Sequence, residues 1–383
     1  MKKRSTIKKL KAIKSKKRAA EGKTRTNVKT AKKRTSRTAK GTKKHTGKKM
    51  RILAVAAVET GKTRDHHISS MADLDPTFVR PYINGLIDGL LAENLSANPS
   101  NPQPPTLGKD YDIWYRHILH SANNGSFALG SDNKSNDLIF AMSGQVVDLA
   151  LTKNKVSTNI VFPSVSFPNN YSWNPLPSNV AGINAQRSQT AGACLTDFLQ
   201  TVPALQSGVV GYLSCPTYPP SIEAEKSIQT AVKNFQNAKL YPVPVTDKKD
   251  LITQLSALPT PLPYDGLLVL PVDFCFAAAG DIISTVQNTY KLPTFFPIPD
   301  WVQPKPPQTP ALGAYGVSQY ECGYLAAHIV FQILWKKASP SSFGVVPASP
   351  KSFDWLVSQS AAAALNIQLN VQNIAQSGGT IVP

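Results

Sequence analysis

Along most of this chain, short continuous apolar runs alternate with stretches in which apolar residues recur every three or four positions. Ile52–Val58 is such a run, and an uninterrupted apolar run of this length predicts a strand covered on both faces. Asp75-Pro76 then offers a helix cap followed by proline at the first helical position. Phe78, Tyr82, Leu86 and Leu90, with Val79, Ile83, Ile87 and Leu91 beside them, form a stripe that predicts a helix to Asn94. The proline-rich ANPSNPQPPTLGK reads as a loop, and 112–116 as the next strand. Residues 137–142 predict a strand, Ser143-Gly144-Gln145 opens a helix through Thr152, and 159–162 gives another strand. The alternation resumes with a strand at 209–213 and a helix at 220–238, its apolar face drawn from Ile222, Ile228, Ala231, Val232 and Phe235. Strands at 241–245, 266–270 and 294–296 then alternate with helices at 247–258 and 277–290. Repeated strand–helix units specify parallel sheets with helices on both faces. Two such sets, split near residue 170, predict an α/β protein of two doubly wound lobes.

Charge separates the first 51 residues from the rest. The net charge of +19 resolves into +22 over residues 1–51, where a single acid, Glu21, faces 23 Lys and Arg, and −3 over the remainder. A segment so charged and so poor in large apolar residues cannot offset its ordering entropy, so a disordered tail is expected. Lys32, Lys33, Arg34, Lys43 and Lys44 are its candidate polyanion contacts. A nucleic acid, an anionic membrane surface and plain solvent all suit such an arm. No window approaches the roughly 18 consecutive apolar residues of a membrane span. Nor is a secretory signal readable: the run at Ile52 is seven residues long and ends at Glu59. The cysteines Cys194, Cys215, Cys275 and Cys322 are widely spaced and sit mostly among apolar residues, as buried thiols do.

Catalytic signatures are thin. Gly61-Lys62-Thr63 suggests a phosphate-binding loop, but the position that needs the first glycine is Ala56, inside the predicted strand. A hydrolase using Lys62 and Asp273 is therefore a minor reading, and Thr60 is better placed as part of a ligand-facing loop after the first strand. Asp65-His66-His67 and His117-x-x-His120 lack a marked third metal ligand. No cofactor is implied. The positions just after strands carry more information, because in parallel sheets they line a common crevice. Ser143, Gly144 and Gln145 follow one strand; Ser166 follows another, in Ser164-Val165-Ser166. Thr217 and Tyr218 precede a helix whose cap is expected to be Ser221, Asp273 and Phe274 follow strand 266–270, and Tyr315 is expected in a further loop of this kind.

The order of these segments resembles the substrate-binding proteins of ABC transporters, in their uncharacterised and aromatic-amino-acid-binding branch, with the type I periplasmic-binding fold. GVVGYLSCPTYPPSIEAEKSIQTAVKNF is similar to that family's strand, loop and helix, and YDGLLVLPVDFCFAAAGDIISTVQNTYKLPTFFP to the unit that follows. GAYGVSQYECGYLAAHIVFQILWKKASPSSFGVVPASPKSFDWLVSQSAAAALNIQL matches element by element, and the likeness extends more loosely back to residue 52. The resemblance implies lobes made of 52–170 with about 314–342, and of 171–313 with about 343–383. It further implies a non-enzymatic solute-binding protein that closes on a small polar molecule, such as an amino acid, and delivers it to a permease outside the cytoplasm. Asp273 would then take a ligand ammonium, the 143–145 amides a carboxylate, and Tyr218 or Phe274 a flat face. The cationic arm leaves open an intracellular ligand sensor, or a nucleic-acid-associated protein, that reuses the same fold.

Overall fold

The computed structural model describes residues 48–57, 66–68, 79–95, 100–118, 136–153, 155–166, 173, 175–303 and 309–383. Several expectations lie outside the described residues: those for the arm (Lys32, Lys33, Arg34, Lys43, Lys44), for Thr60 and the Gly61-Lys62-Thr63 loop, for Asp65, for Asp75-Pro76, and for His120.

Continuous apolar runs become central parallel strands. In the first sheet are β1 (Met50–Ala57), β2 (His66–His67), β3 (Tyr111–Ile118), β4 (Leu138–Ala141), β5 (Ile160–Val165), β6 (Val180–Asn184) and, from far along the chain, β12 (Val345–Pro347). Their order is β12-β6-β5-β4-β1-β3-β2, parallel throughout except for β2 against β3. The second sheet holds β7 (Val209–Ser214), β8 (Lys239–Pro244), β9 (Gly266–Val269), β10 (Thr294–Phe296), β11 (Gly313–Val317), β13 (Phe353–Ser358) and β14 (Thr380–Val382). Their order is β14-β13-β11-β10-β9-β7-β8, with only β11 and β13 antiparallel. Residues Ile52 to Ala56 of β1 are fully buried, as a strand covered on both faces requires.

The helices are α1 (Arg80–Leu91), α2 (Gly144–Asp148), α3 (Ala191–Thr201), α4 (Pro219–Ala231), α5 (Lys248–Ser256), α6 (Asp273–Ala277), α7 (Ala279–Ile282), α8 (Gln319–Leu334), α9 (Gln359–Ala364) and α10 (Val371–Gln376). Wider turns extend two of them, Leu149–Lys153 after α2 and Ile283–Thr289 after α7. Helix α8 packs on α1 and against β5 and β6, although α8 follows the second lobe's strands in sequence. The chain thus passes between the sheets three times: between β6 and α3, between β11 and α8, and between β12 and β13.

Three expectations change here. Residues 180–184, which the expected boundary at 170 assigned to the second lobe, form the unforeseen strand β6, and it pairs with β5 in the first sheet. Its five residues lie in polar, proline-containing sequence, too short a run to register on its own. Strand β11 pairs with β10 in the second sheet, so the return to the first lobe begins at α8, not near 314. Helix α4 stops at Ala231 and turns its Pro220, Ala224 and Ile228 side inward, which leaves Ile222 39% exposed and outside the apolar face.

One large cluster of buried side chains runs through both lobes, joining Phe140 and Val161 to Val269, Phe296 and the apolar face of α8. Separate clusters cover the other face of each sheet. All four cysteines are buried and free. Among the described residues no helix is long and apolar enough to cross a membrane.

Candidate functional site

Parallel pairing places the C-terminal ends of β4 and β5 at one edge of the first sheet and those of β7 and β9 at one edge of the second, and the residues that follow β4, β7 and β9 lie near one another. Ser143, directly after β4 in the first lobe, caps α2: its Oγ accepts the amide of Val146 at 3.4 Å. Its hydroxyl also lies close enough to the carboxylate of Asp273, the first residue of α6 in the second lobe, to favour the ionised form. Tyr218, from the loop after β7, donates its hydroxyl to Asp273 Oδ2 at 3.2 Å, and its ring packs against apolar clusters of both lobes. Two of the expected residues, Ser143 and Tyr218, therefore converge on the carboxylate of a third.

That carboxylate is unusual. Asp273 is enclosed by protein on nearly every side, yet it keeps some accessible surface. Burial pushes its pKa up to about 6, against the Tyr218 hydroxyl, the Arg187 charge and the Ser143 hydroxyl, which all favour the ionised form. Near the start of α2, Gln145 Oε1 is buried and has no hydrogen-bond partner among the described residues. A buried acceptor without a donor is costly.

The other expected residues fall around this centre or away from it. Gly144 is buried at the start of α2, and Ser166 is 9% exposed at the end of β5. Ser164 and Val165, expected after that strand, are its last residues. Thr217 is exposed, its hydroxyl 3.4 Å from Cys215 Sγ. Ser221 does not cap α4. The cap position is Tyr218, and Ser221 Oγ accepts the Cys215 amide at 2.8 Å. Phe274 is 2% exposed in the large cluster, which leaves Tyr218 as the half-buried aromatic of the pair. Tyr315 is a correction: it lies within β11, not in a loop. Its ring stacks on Phe353 at 5.8 Å and faces Asp197 and Cys194 of α3, because alternation along the strand turns it to the helix-covered side. Among the described residues no group of three or more metal-capable side chains comes together.

The sequence did not point to Arg187. It sits between β6 and α3 at 4% exposure, with Nη1 donating to Ser164 Oγ and Nη2 donating to the Val317 carbonyl at 3.3 Å. Tyr82 of α1 lies beside the same guanidinium, and burial carries the Tyr82 pKa up to about 12 although the Arg187 charge pulls it down. Asp300, after β10, accepts the Gln319 amide at 2.9 Å. Its pKa is raised by burial and lowered by that amide and by Arg187. Arg187 and Asp300 again lie just past strand C-termini, the position rule that found Ser143 and Asp273.

Ser143→Ala removes both a helix cap and a hydroxyl beside Asp273. We expect it to lower the free energy of unfolding by about 1–2 kcal/mol, read from the urea midpoint at constant slope. An unchanged midpoint would mean that neither contact forms.

Comparison with known proteins adds the following. A family model described as ABC transporter substrate binding protein matches residues 128–380. No curated protein matches the chain. A conserved domain protein from Vibrio cholerae shares 18% identity at a TM-score of 0.64, over 88% of this chain and 100% of that one. An ABC domain from Streptococcus pneumonia, in complex with L-Trp, shares 13% identity at 0.60, over 87% and 100%. A ligand-free, open substrate binding protein with adhesive properties from Clostridium difficile shares 16% identity at 0.50, over 87% and 99%. At these identities the structural likeness is one of fold.

Proposed function

This chain belongs to the ABC transporter substrate binding protein family, and from that premise we propose that it binds one small, amine-bearing polar molecule, an amino acid or close relative, between its lobes. The observation that carries the reading is the deep, accessible carboxylate of Asp273, contacted from both lobes by Ser143 and Tyr218. In this reading Asp273 receives the ligand ammonium. The Gly144 and Gln145 amides at the start of α2 receive a carboxylate, Gln145 Oε1 accepts a second ligand donor, Tyr218 covers a flat apolar face, and Ser166 lines the first-lobe wall. Ligand that touches both lobes only when they are together stabilises the shut form by its differential affinity. The bound molecule is then passed to a membrane permease, without chemical change. The pneumococcal relative holds L-Trp, which makes tryptophan a natural first probe. The polyanion expectation rested on residues 1–51, nearly all outside the described residues, and forms no part of this proposal.

A thermal-shift screen of free amino acids and related amines against the full chain tests the reading. A ligand at 100 times its Kd is expected to raise the melting temperature by about 4 °C for a protein of this size. A panel in which neither tryptophan nor any other amine moves the midpoint overturns it.

A further inference from the structure

We propose that Arg187 is the positioning residue of this cleft, the group that seats α6, and with it Asp273, against the first lobe. Its grip is built from the first-lobe side. Nη1 holds Ser164 of β5, Tyr82 of α1 lies beside the guanidinium, and Nη2 reaches Cys322 Sγ of α8 at 3.9 Å and, at the end of β11, the Val317 carbonyl at 3.3 Å. Its face then lies over the Phe276 ring, 5.8 Å from the centroid, and Phe276 is one turn beyond Asp273 on α6. A planar, forked cation suits such a junction, because it spends its donors on fixed acceptors in one plane and offers its face to a ring.

The charge arrangement points the same way. The first-lobe neighbours of Arg187 are all neutral, two hydroxyls and a thiol, and so is the β11 carbonyl it reaches. The carboxylates in its field, Asp300 and Asp273, both belong to the second lobe. A cation this buried is costly until compensated, and here compensation comes only when the second lobe sits against the first. The remaining titratable neighbours are Glu321 beside Cys322, Asp354 beyond Asp300, and Cys275 with Cys215 beside Asp273. None of them is a cation. Arg187 therefore holds α6 by its face and Asp273 by its charge, and it does so at a hinge crossing, not at the ligand itself.

The inference rests on the cleft reading above, but its test needs no ligand, so the two fail separately. The Asp273 titration is taken from the difference in unfolding free energy between full-length protein and Asp273→Asn across pH 4 to 8, with and without Arg187→Gln. The midpoint, near pH 6 with Arg187 present, is expected to rise by about 1–3 units without the guanidinium and to return with Arg187→Lys. The radius of gyration of the empty protein by X-ray scattering is expected to grow in Arg187→Gln. A residue that merely supports the fold would lower the melting temperature and leave both readings in place, and an unmoved midpoint or an unmoved radius overturns the proposal. Should Arg187→Gln fail to fold, Asp300→Asn serves instead, since Asn keeps an acceptor for the Gln319 amide. With one carboxylate fewer to share the guanidinium, the Asp273 midpoint is expected to fall, and a midpoint that stays put is equally fatal.

Discussion

Asp273→Asn is expected to abolish binding of amine-bearing ligands and, at the same time, to stabilise the empty protein above about pH 6. Both effects come from one carboxylate. On the binding side, removing one partner of a buried charge pair leaves the ligand ammonium desolvated and unmatched, a loss of about 2–5 kcal/mol, or some thirtyfold to several thousandfold in affinity. Asparagine keeps an oxygen for the Tyr218 hydroxyl, now 3.2 Å from Oδ2, so the pocket should hold its shape while losing its charge.

The stability side runs opposite. The Asp273 pKa is raised in the folded protein to about 6, above its value in the unfolded chain, because burial disfavours the ionised form. A group shifted upward supports the fold below its unfolded pKa and loses that support as pH rises through the folded value. The native protein should thus lose stability relative to Asp273→Asn across the window from about pH 4 to 6, reaching a deficit of about 1–3 kcal/mol that stays level above it. Chemical denaturation at pH 4.5 and pH 8 checks this, with calorimetry of any ligand found by thermal shift alongside. If Asp273→Asn melts no higher than the native chain at pH 8, the carboxylate is not held against its preference, and the strongest argument for a ligand cation there is gone. A site that destabilises its own empty fold is what a receptor needs if ligand is to tip the balance toward closure.

Which parts of this were readable in advance follows from where the information lies. Strands buried on both faces announce themselves as apolar runs, so β1, β4, β7 and β9 stood out from local sequence. Strand β6 and the late strands β12 to β14 did not, since three to six residues in proline- and serine-rich surroundings carry no periodicity to detect. For the candidate site, one topological rule, that residues directly after strands line a common crevice, named Ser143, Tyr218 and Asp273, and these three lie near one another. It overreached at Tyr315, where the strand extends past the expected turn. It missed Arg187 because Asn184-Ala185-Gln186-Arg187-Ser188 reads as an ordinary polar loop after a strand that was itself unseen. Tyr82 was read only as a core position on α1. Its hydroxyl reaches the hinge because α8, more than two hundred residues later, returns to pack on the same helix.

That return is also where the fold should be least tolerant of added volume. Helices α1 and α8 cross with their backbones in contact, through glycines on both sides. A Cβ at Gly85 would lie 2.0 Å from the Tyr320 carbonyl oxygen, and one at Gly323 would lie 2.2 Å from the carbonyl oxygen of Tyr82. Neither obstacle is the end of a flexible side chain, so relief requires the helices to separate by about 1 Å or more along their contact. Alanine would gain about 1 kcal/mol in helix propensity at either position, but overpacking of this severity typically costs about 1–3 kcal/mol and sometimes more. With backbone as the obstacle the clash should win: Gly85→Ala is expected to destabilise by a net of up to about 2 kcal/mol, and Gly85→Val by more. Gly280 in α7 is the internal comparison, since a Cβ there meets nothing within 4 Å, and Gly280→Ala should stabilise by a few tenths to about 1 kcal/mol. Gly323→Ala carries a further consequence for the site. Displacing the Tyr82 backbone draws its hydroxyl away from Arg187 and Ser164, so ligand affinity should fall along with stability, whereas a loss confined to stability would show that the helix crossing and the cleft are independent.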